Sequence, residues 1–576
     1  MTSTAVPAIP VQQAAQQRRL HVAKYLSWSL DHKVIGVQYL FTAFTFFLVG
    51  GTLAELIRVN LLAPTGALFI DKSTYNAVFS MHGTIMIFLF IIPTFVGFAN
   101  YMVPLMIGAK DMAFPWLNAF AFWLIPPAGV LLVLGWIVGP PAAGWTAYFP
   151  LSGPVYSPAD GQTLWAISIH LLGISSIVGA INFIVTVKNM RTPGMGWFQM
   201  PLFVWAMFAT SIIVLLGTPF LSGGLTLMLF DRLAGTNIFA PATGGDPLLW
   251  PNVFWFYSHP AVYIMVLPGM GILSEVLSVF SRKPIFGYRA IAMSSMAIAL
   301  LGFMVWGHHM FTSLAPWTRV PFMITSMIIA VPTGIKVFGW LGTIWGGKIR
   351  FTAAMHFALG FLSLFVIGGI SGVLLASIPV DQQAHGTYFV VAHLHFVLFG
   401  GSVFAIMAGA YYWFPKITGR FMNERLGKVH FWLTYVGFLL SFLPMHVSGL
   451  YGMPRRVAIY DPKFQVINIL TSLGAFILGI GQLPFFVNAA VSFVGGKRAG
   501  NNPWNALTLE WTISSPPPEH DFDDDPIPAP DPYGYGTPMA AAYLAGERDI
   551  VALNAAMHAG GAHSHTTVES VAGGDK

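Results

Sequence analysis

Long apolar runs separated by short polar segments fill the chain from about residue 34 to residue 495. A helix needs about 20 mostly apolar residues to cross about 30 Å of hydrocarbon. Twelve runs reach that length, at 34–58, 77–108, 117–139, 163–187, 200–230, 251–280, 288–310, 323–345, 353–376, 388–414, 428–451 and 466–495, with ends good to about 2–4 residues. They are too long for barrel strands and show no period of two. The predicted fold is all-α and integral to a membrane, twelve transmembrane helices in a bundle. Residues 1–30 form an N-terminal segment, 31–498 the helical domain and 499–576 a polar tail rich in Pro, Gly and Ala.

The polar segments set the orientation, because short cytoplasmic loops hold the excess of Lys and Arg. With the N-terminus inside, the inner segments collect most basic residues, among them Arg18, Arg19, Lys24, Lys110, Lys188, Arg282, Lys348, Arg425 and Lys497. The outer segments keep only Arg58, Lys72, Arg232, Arg319, Arg455, Arg456 and Lys463. Both termini are therefore predicted to be cytoplasmic. The first 24 residues are polar, rich in Gln and Arg, and lack the apolar core of a cleavable leader. The tail carries SSPPPEHDFDDDPIPAPDPYGYG, which predicts disorder or draping over a partner, with His558, His563 and His565 solvated.

Composition agrees with this reading and narrows the chemistry. Charged residues make up 9% of the chain and hydrophobic ones 55%, against roughly 25% charged in ordinary globular chains. The formal net charge of +6 follows from the loop bias, which leaves no case for nucleic-acid binding. There is no cysteine, so disulfides, thiolate nucleophiles and thiolate-bound metals are excluded. Any metal must rely on histidine.

Histidine inside a bilayer is costly and usually functional, so the depth of each one matters. His82 lies about 5 residues inside the outer end of the second run, His259 about 8 inside the sixth, and His393 and His395 about 5–7 inside the tenth; His308 and His309 close the seventh. At 1.5 Å per residue all six fall in one layer, within about 12 Å of the outer surface. His393 and His395, two apart, face nearly opposite sides of one helix and can each ligate a different flat cofactor. Adjacent His308 and His309 can reach one metal if the helix end relaxes. His259 and Tyr263, four apart, share a face. Three imidazoles suit copper and an axial imidazole suits heme iron. His170 and His446 lie at similar depth, and His356 nearer the inner side; these read as packing or hydrogen-bonding residues.

The segments MHGTIMIF (81–88), WFYSHPAVY (255–263), WGHHMF (306–311), PTGIKVFGW (332–340), HGTYFVVAHLHFV (385–397) and MPRR (453–456) closely resemble subunit I of cytochrome c oxidases, in the heme-copper terminal oxidase family. The resemblance runs in order over roughly residues 25–495. It implies that His82 and His395 are the axial pair of a low-spin heme, and that His393 ligates a high-spin heme whose open face binds dioxygen. His259, His308 and His309 would hold copper opposite that face, with Tyr263 covalently joined to His259. Arg455 and Arg456 would meet heme propionates, as two charge-assisted donors can. Asp381 would lie near a propionate, Arg58 would contact the formyl group of a heme A, and Trp255 would pack by the copper. Lys336 with Thr333 and Ser274 resembles one proton channel; Asp111 with Asn100 and Asn118 resembles the entrance to a second.

The resemblance also fixes expectations about setting. It implies a proton-translocating oxidase of a bacterial plasma membrane that takes electrons from cytochrome c, or a fused or associated cytochrome c domain. The electrons would come through a copper centre on subunit II, alongside subunit III and small subunits; membership of a larger respiratory supercomplex stays open. Two departures stand out. Ala261 replaces the glutamate that many members carry two residues after the first copper ligand, and Tyr257 with Ser258 resembles the subfamily that uses a Tyr-Ser pair instead. Gly386 replaces an aspartate that binds magnesium beside His385, which weakens the case for that ion. Two rivals are set apart by residues. Quinol oxidases often carry a His and a Gln where this chain has Thr74 and Ala77, and a twelve-helix secondary transporter would need no shared histidine layer.

Overall fold

The computed structural model describes residues 23–69 and 71–559. Arg18, Arg19, His563 and His565 lie outside the described residues, as does the side chain of His558. Twelve helices are long and apolar enough to cross a membrane. In chain order they are α1 His32–Asn60, α2 Lys72–Ile107, α3 Pro115–Val138, α4 Gly161–Asn189, α5 Leu202–Ala234 and α6 Leu249–Ser281. The second half comprises α7 Tyr288–Met310, α8 Pro316–Ile344, α9 Ala353–Ala376, α10 Tyr388–Thr418, α11 Glu424–Leu450 and α12 Pro462–Gly495. No β-strand occurs among the described residues, only the isolated bridges Thr387–Pro454 and Arg420–Arg498.

Number and order match the apolar runs, and two starts differ by more than the expected margin. Helix α2 begins at Lys72 and not at 77, because Asp71 caps it by accepting from the Thr74 amide at 2.7 Å. Helix α8 begins at Pro316 and not at 323; proline favours the first turn of a helix, and the turn Trp317–Pro321 is too polar to register as an apolar run.

Helices α2 and α6 are the most enclosed of the twelve, and both carry candidate histidines. Each of α2 and α10 contains a π segment, Met86–Ile91 and Leu398–Val403, starting a few residues after His82 and His395 respectively. Such wide turns cluster at functional sites, because they re-aim the side chains on either side. At the periphery α11 and α12 approach through Gly437 and Gly474, where an added Cβ would fall 2.5 Å from the Leu478 nitrogen and 2.4 Å from that of Ser441. Small residues allow that backbone contact, which dispersion rather than the hydrophobic effect must hold together in lipid.

The expectation of a disordered or partner-draped tail is overturned through residue 559. The described tail packs on the bundle's own face where α1 begins, burying Leu509, Trp511, Tyr533, Tyr535 and Tyr543. Tyr533 donates to Glu275 of α6 at 2.5 Å and accepts from the Leu202 amide at 2.6 Å. Trp511 donates to Tyr412 of α10 at 3.0 Å, and Lys416 donates to the carbonyls of Ile513 and Ser514 at 2.9 and 3.1 Å. Averaged composition hid these anchors: a few aromatic residues spaced among prolines suffice to bury a strap that is polar overall.

Glu510 in this strap is fully buried, accepting from Thr508 at 2.8 Å through one oxygen and leaving the other without a partner. Burial pushes its carboxyl up to about 7, against the pull of Lys416. A carboxyl raised above its unfolded value of about 4.3 contributes stability that is full below that value and lost as pH rises through the folded one. Tail docking, followed by limited proteolysis, is therefore expected to weaken as pH rises from about 5 to about 8, and Glu510→Gln to flatten that dependence. An unchanged pH profile in the variant would show that another group controls docking.

Candidate metal and cofactor centre

The last turn of α7, Trp306–Met310, is a 3₁₀ segment. Tightening there relaxes the helix end, so that two adjacent histidines turn toward α6. His259 Nδ1 lies 3.0 Å from His309 Nε2, and one ring nitrogen from each of His259, His308 and His309 falls within 4.8 Å of the others. Among the described residues this is the one group of that kind. Nitrogens so spaced can share a metal at about 2 Å from each. His308 Nδ1 is steadied by Ser326 Oγ at 2.7 Å, and Trp255 stacks on His309 with ring centres 3.7 Å apart and planes at 9°. The Trp255 indole donates to the Tyr148 hydroxyl. Tyr263 packs edge-on against His259, ring centres 4.8 Å apart, and His259 Nε2 is buried with no partner.

His82 and His395 face each other with ring planes within 6° and centres 6.5 Å apart. Two imidazoles on one metal, with bonds of about 2.0–2.1 Å, place their centres about 6 Å apart, so one axially ligated ion fits between them. His82 Nδ1 donates to the Gly50 carbonyl at 2.8 Å and His395 Nδ1 to that of Val391 at 2.8 Å. His393, on the other side of α10, donates through Nδ1 to Gly368 at 3.0 Å and lies 3.0 Å from Ser371 Oγ. A carbonyl only accepts, so in all three rings Nδ1 carries the hydrogen and Nε2 keeps its lone pair for a metal.

Basic residues flank this layer. Arg455 and Arg456 are half-buried, and among the described residues neither guanidinium donates to a protein acceptor. Burial lowers both from the usual arginine range, Arg456 to about 10, with Arg455 beside it adding repulsion. Two partly desolvated cations without an acceptor fit an anionic ligand. Asp381 accepts from His385 Nδ1 at 3.0 Å, and Gly386 follows at φ +71°. Arg58 is no surface charge: it is buried on α1 and donates to Asn468, Thr471 and Ser472 of α12.

A family described as "Cytochrome C and Quinol oxidase polypeptide I" matches residues 34–477. The chain belongs to this family. It is 55% identical over 513 residues to "Cytochrome c oxidase subunit 1" of Synechocystis sp., covering 89% of this chain and 93% of that one. It is 54% identical over 514 residues to the protein of the same name from Thermostichus vulcanus, with the same coverage, and 47% identical over 500 residues to that of Bacillus sp., covering 86% and 81%. A solved heme-copper terminal oxidase dimer is similar in fold, with a TM-score of 0.68 at 20% identity over 81% of this chain and 84% of that one.

Within this oxidase polypeptide I chain the residues expected to carry protons differ in their partners. Lys336 is buried on α8 and donates to Ser295 Oγ at 2.6 Å and the Ile291 carbonyl at 3.2 Å. The other two expected members turn elsewhere: Thr333 bonds its own helix at Ile329, and Ser274 accepts from the Trp340 indole at 3.0 Å. Asp111 sits in the α2–α3 loop, where burial raises its carboxyl against the pull of His32. Asn100 Oδ1, Asn118 Nδ2 and Ser258 Oγ are each buried without a hydrogen-bond partner among the described residues. Tyr257 lines a cavity of about 50 Å³ that Tyr39, Ser175, Thr210 and Ser211 also border.

Sequence reasoning missed Ser295, Ser326 and Ser371, whose roles depend on which helices become neighbours. It also missed the tail. Asp521, fully buried at φ +59°, accepts from Lys33 at 2.6 Å and pairs with His32 Nε2 at 2.7 Å, while His32 Nδ1 bonds the Asn100 carbonyl at 2.6 Å. Removing the charge from one side of a buried, hydrogen-bonded pair costs roughly 2–3 kcal/mol. Asp521→Asn is accordingly expected to loosen the tail and speed its proteolysis at residues 515–530 without changing metal content. Equal cleavage rates would mean that the aromatic anchors alone hold the strap.

Proposed function

We propose that this chain is the catalytic subunit I of a cytochrome c oxidase, an oxidoreductase that reduces dioxygen to water and couples the reaction to proton translocation. The observation that carries the proposal is the presence of a three-imidazole cluster together with two imidazoles whose near-parallel rings are 6.5 Å apart. Two hemes, of the heme A type, and one copper ion supply the electron transfer and oxygen chemistry when bound.

The residues divide that work. His82 and His395 would hold the low-spin heme and His393 the high-spin heme at which dioxygen would bind. His259, His308 and His309 hold copper, and Trp255 braces His309. The unpartnered His259 Nε2 would take the link to Tyr263, an N–C bond replacing an N–H and a ring C–H as dioxygen accepts the two electrons and two protons, and the Tyr263 hydroxyl would hold a proton for the reaction. Arg455 and Arg456 neutralise propionates, with Asp381 nearby, and Arg58 faces a formyl group. Lys336, reaching Ser295, carries protons on one path, and Thr333 and Ser274 join it there by exchanging their present partners, Ile329 and Trp340, for water. Asp111, Asn100 and Asn118 lead toward Tyr257 and Ser258, whose hydroxyls stand in for the missing glutamate. For magnesium the residues fit poorly: Asp381 is engaged by His385, Gly386 offers no side chain, and no step is assigned to that ion.

In this reading the chain works in a bacterial plasma membrane with both termini in the cytoplasm. A subunit II with its copper centre, a subunit III, small subunits and cytochrome c complete the assembly. Quinol as donor is disfavoured because Thr74 is spent on Asp71 at 2.6 Å and Ala77 is fully buried.

The optical spectrum of the reduced, purified protein, with and without carbon monoxide, is expected to show two heme populations of which one shifts. A correctly folded protein without heme would sink the reading. A second check uses Gly372 on α9, where an added Cβ would come 2.8 Å from the His393 ring. Gly372→Ala is expected to displace that ring, abolish the band that responds to carbon monoxide and leave the low-spin band. Loss of both bands together would break the assignment of separate sites.

A further inference from the structure

A cavity of about 660 Å³ opens where α9 and α11 begin and α12 ends, on the face of the bundle where the chain also begins. Two lysines line it, Lys428 on α11 and Lys497 just past α12. Among the described residues neither ammonium makes a hydrogen bond or salt bridge. The single carboxylate there, Glu424, spends one oxygen on the Ala353 amide at 2.7 Å. Thr352 and Asn423, the caps of α9 and α11, border the same cavity, so two helix N-termini add positive potential to the lysines. One wall is apolar: Phe351 and Val491 are 57% and 65% exposed, and Val494 beyond them 74%.

The combination is amphipathic and lies at the ends of three membrane-crossing helices, where a bilayer changes from acyl chain to headgroup. A free anion would need the lysines and have no use for the exposed apolar wall; a fatty chain alone would need the wall and not the lysines. We propose that this cavity binds the phosphate headgroup of an anionic glycerophospholipid, with Lys428 and Lys497 on the phosphate and the acyl chains along Phe351 and Val491. Basic pockets between transmembrane helices take such headgroups, and each lysine near the surface contributes enough to shift affinity about fivefold.

The test is a lipid titration of the purified holoenzyme after detergent stripping, with bound lipid counted by native mass spectrometry. Dioleoyl phosphatidylglycerol is expected to be retained over dioleoyl phosphatidylcholine, and Lys428→Gln/Lys497→Gln to weaken that retention roughly 30-fold. The distant Lys72→Gln should leave it unchanged, with the heme spectrum as the fold check. Should the double variant lose its spectrum, raising salt on the wild type must release phosphatidylglycerol selectively. Equal retention of the two lipids, equal retention by the double variant, or full protection of the site by inorganic phosphate alone would overturn the proposal. So would loss of a companion subunit from the variant complex, which would assign the cavity to a protein partner.

Discussion

Every polar side chain inside this bundle must find a partner, because hydrocarbon offers none and an unmet donor or acceptor is costly there. The histidine layer is built on that constraint. For His82, His393 and His395 the partner is a backbone carbonyl, of Gly50, Gly368 and Val391 respectively. Meeting the requirement at Nδ1 fixes the ring's orientation, sets the tautomer and leaves Nε2 bare. Preparing the metal ligand is thus the same act as satisfying the buried hydrogen bond. Among the groups that leave it unmet, three lie at the candidate site: His259 Nε2 has no partner, and the guanidiniums of Arg455 and Arg456 find no protein acceptor among the described residues.

Much of this was legible in the sequence because its signals are local. Twelve apolar runs specify twelve helices through length alone, and counting residues from the run ends put six histidines in one layer before any helix was packed. The two-residue offset of His393 and His395 already required them to face different neighbours. They do so, one toward α9 and the other toward His82 of α2. Adjacent His308 and His309 required a relaxed helix end, and the 3₁₀ turn Trp306–Met310 supplies it.

What stayed hidden depends on contacts between distant parts of the chain. Ser295 meets Lys336 from a helix forty-one residues earlier, and neither spacing nor hydropathy could pair them. The partners of Arg58 were equally out of reach, because the four polar atoms that enclose it belong to α12. The tail was misread for a different reason. Its proline and aspartate content describes a chain that cannot form its own core, yet it needs none when the bundle provides one. Trp511 and Tyr533 are buried against α10, α6 and the start of α5, so the core of the tail is borrowed.

That borrowing changes how the two faces of the molecule differ. On the face near the histidine layer, Arg455, Arg456, Asp381 and His385 gather charge beside the sites where electrons would be handled. On the opposite face, the tail's own Asp521 clamps His32 and Lys33 of α1, and His32 in turn holds the Asn100 carbonyl beside Asp111. A segment outside the helical domain therefore completes the surroundings of Asp111, the loop carboxyl proposed as the entrance of one proton path. Truncating the chain after α12 would leave every candidate metal ligand in place and still remove a buried carboxylate from that mouth. The candidate metal ligands all lie in the helical domain, whereas the surroundings of Asp111 are shared between the domain and the tail.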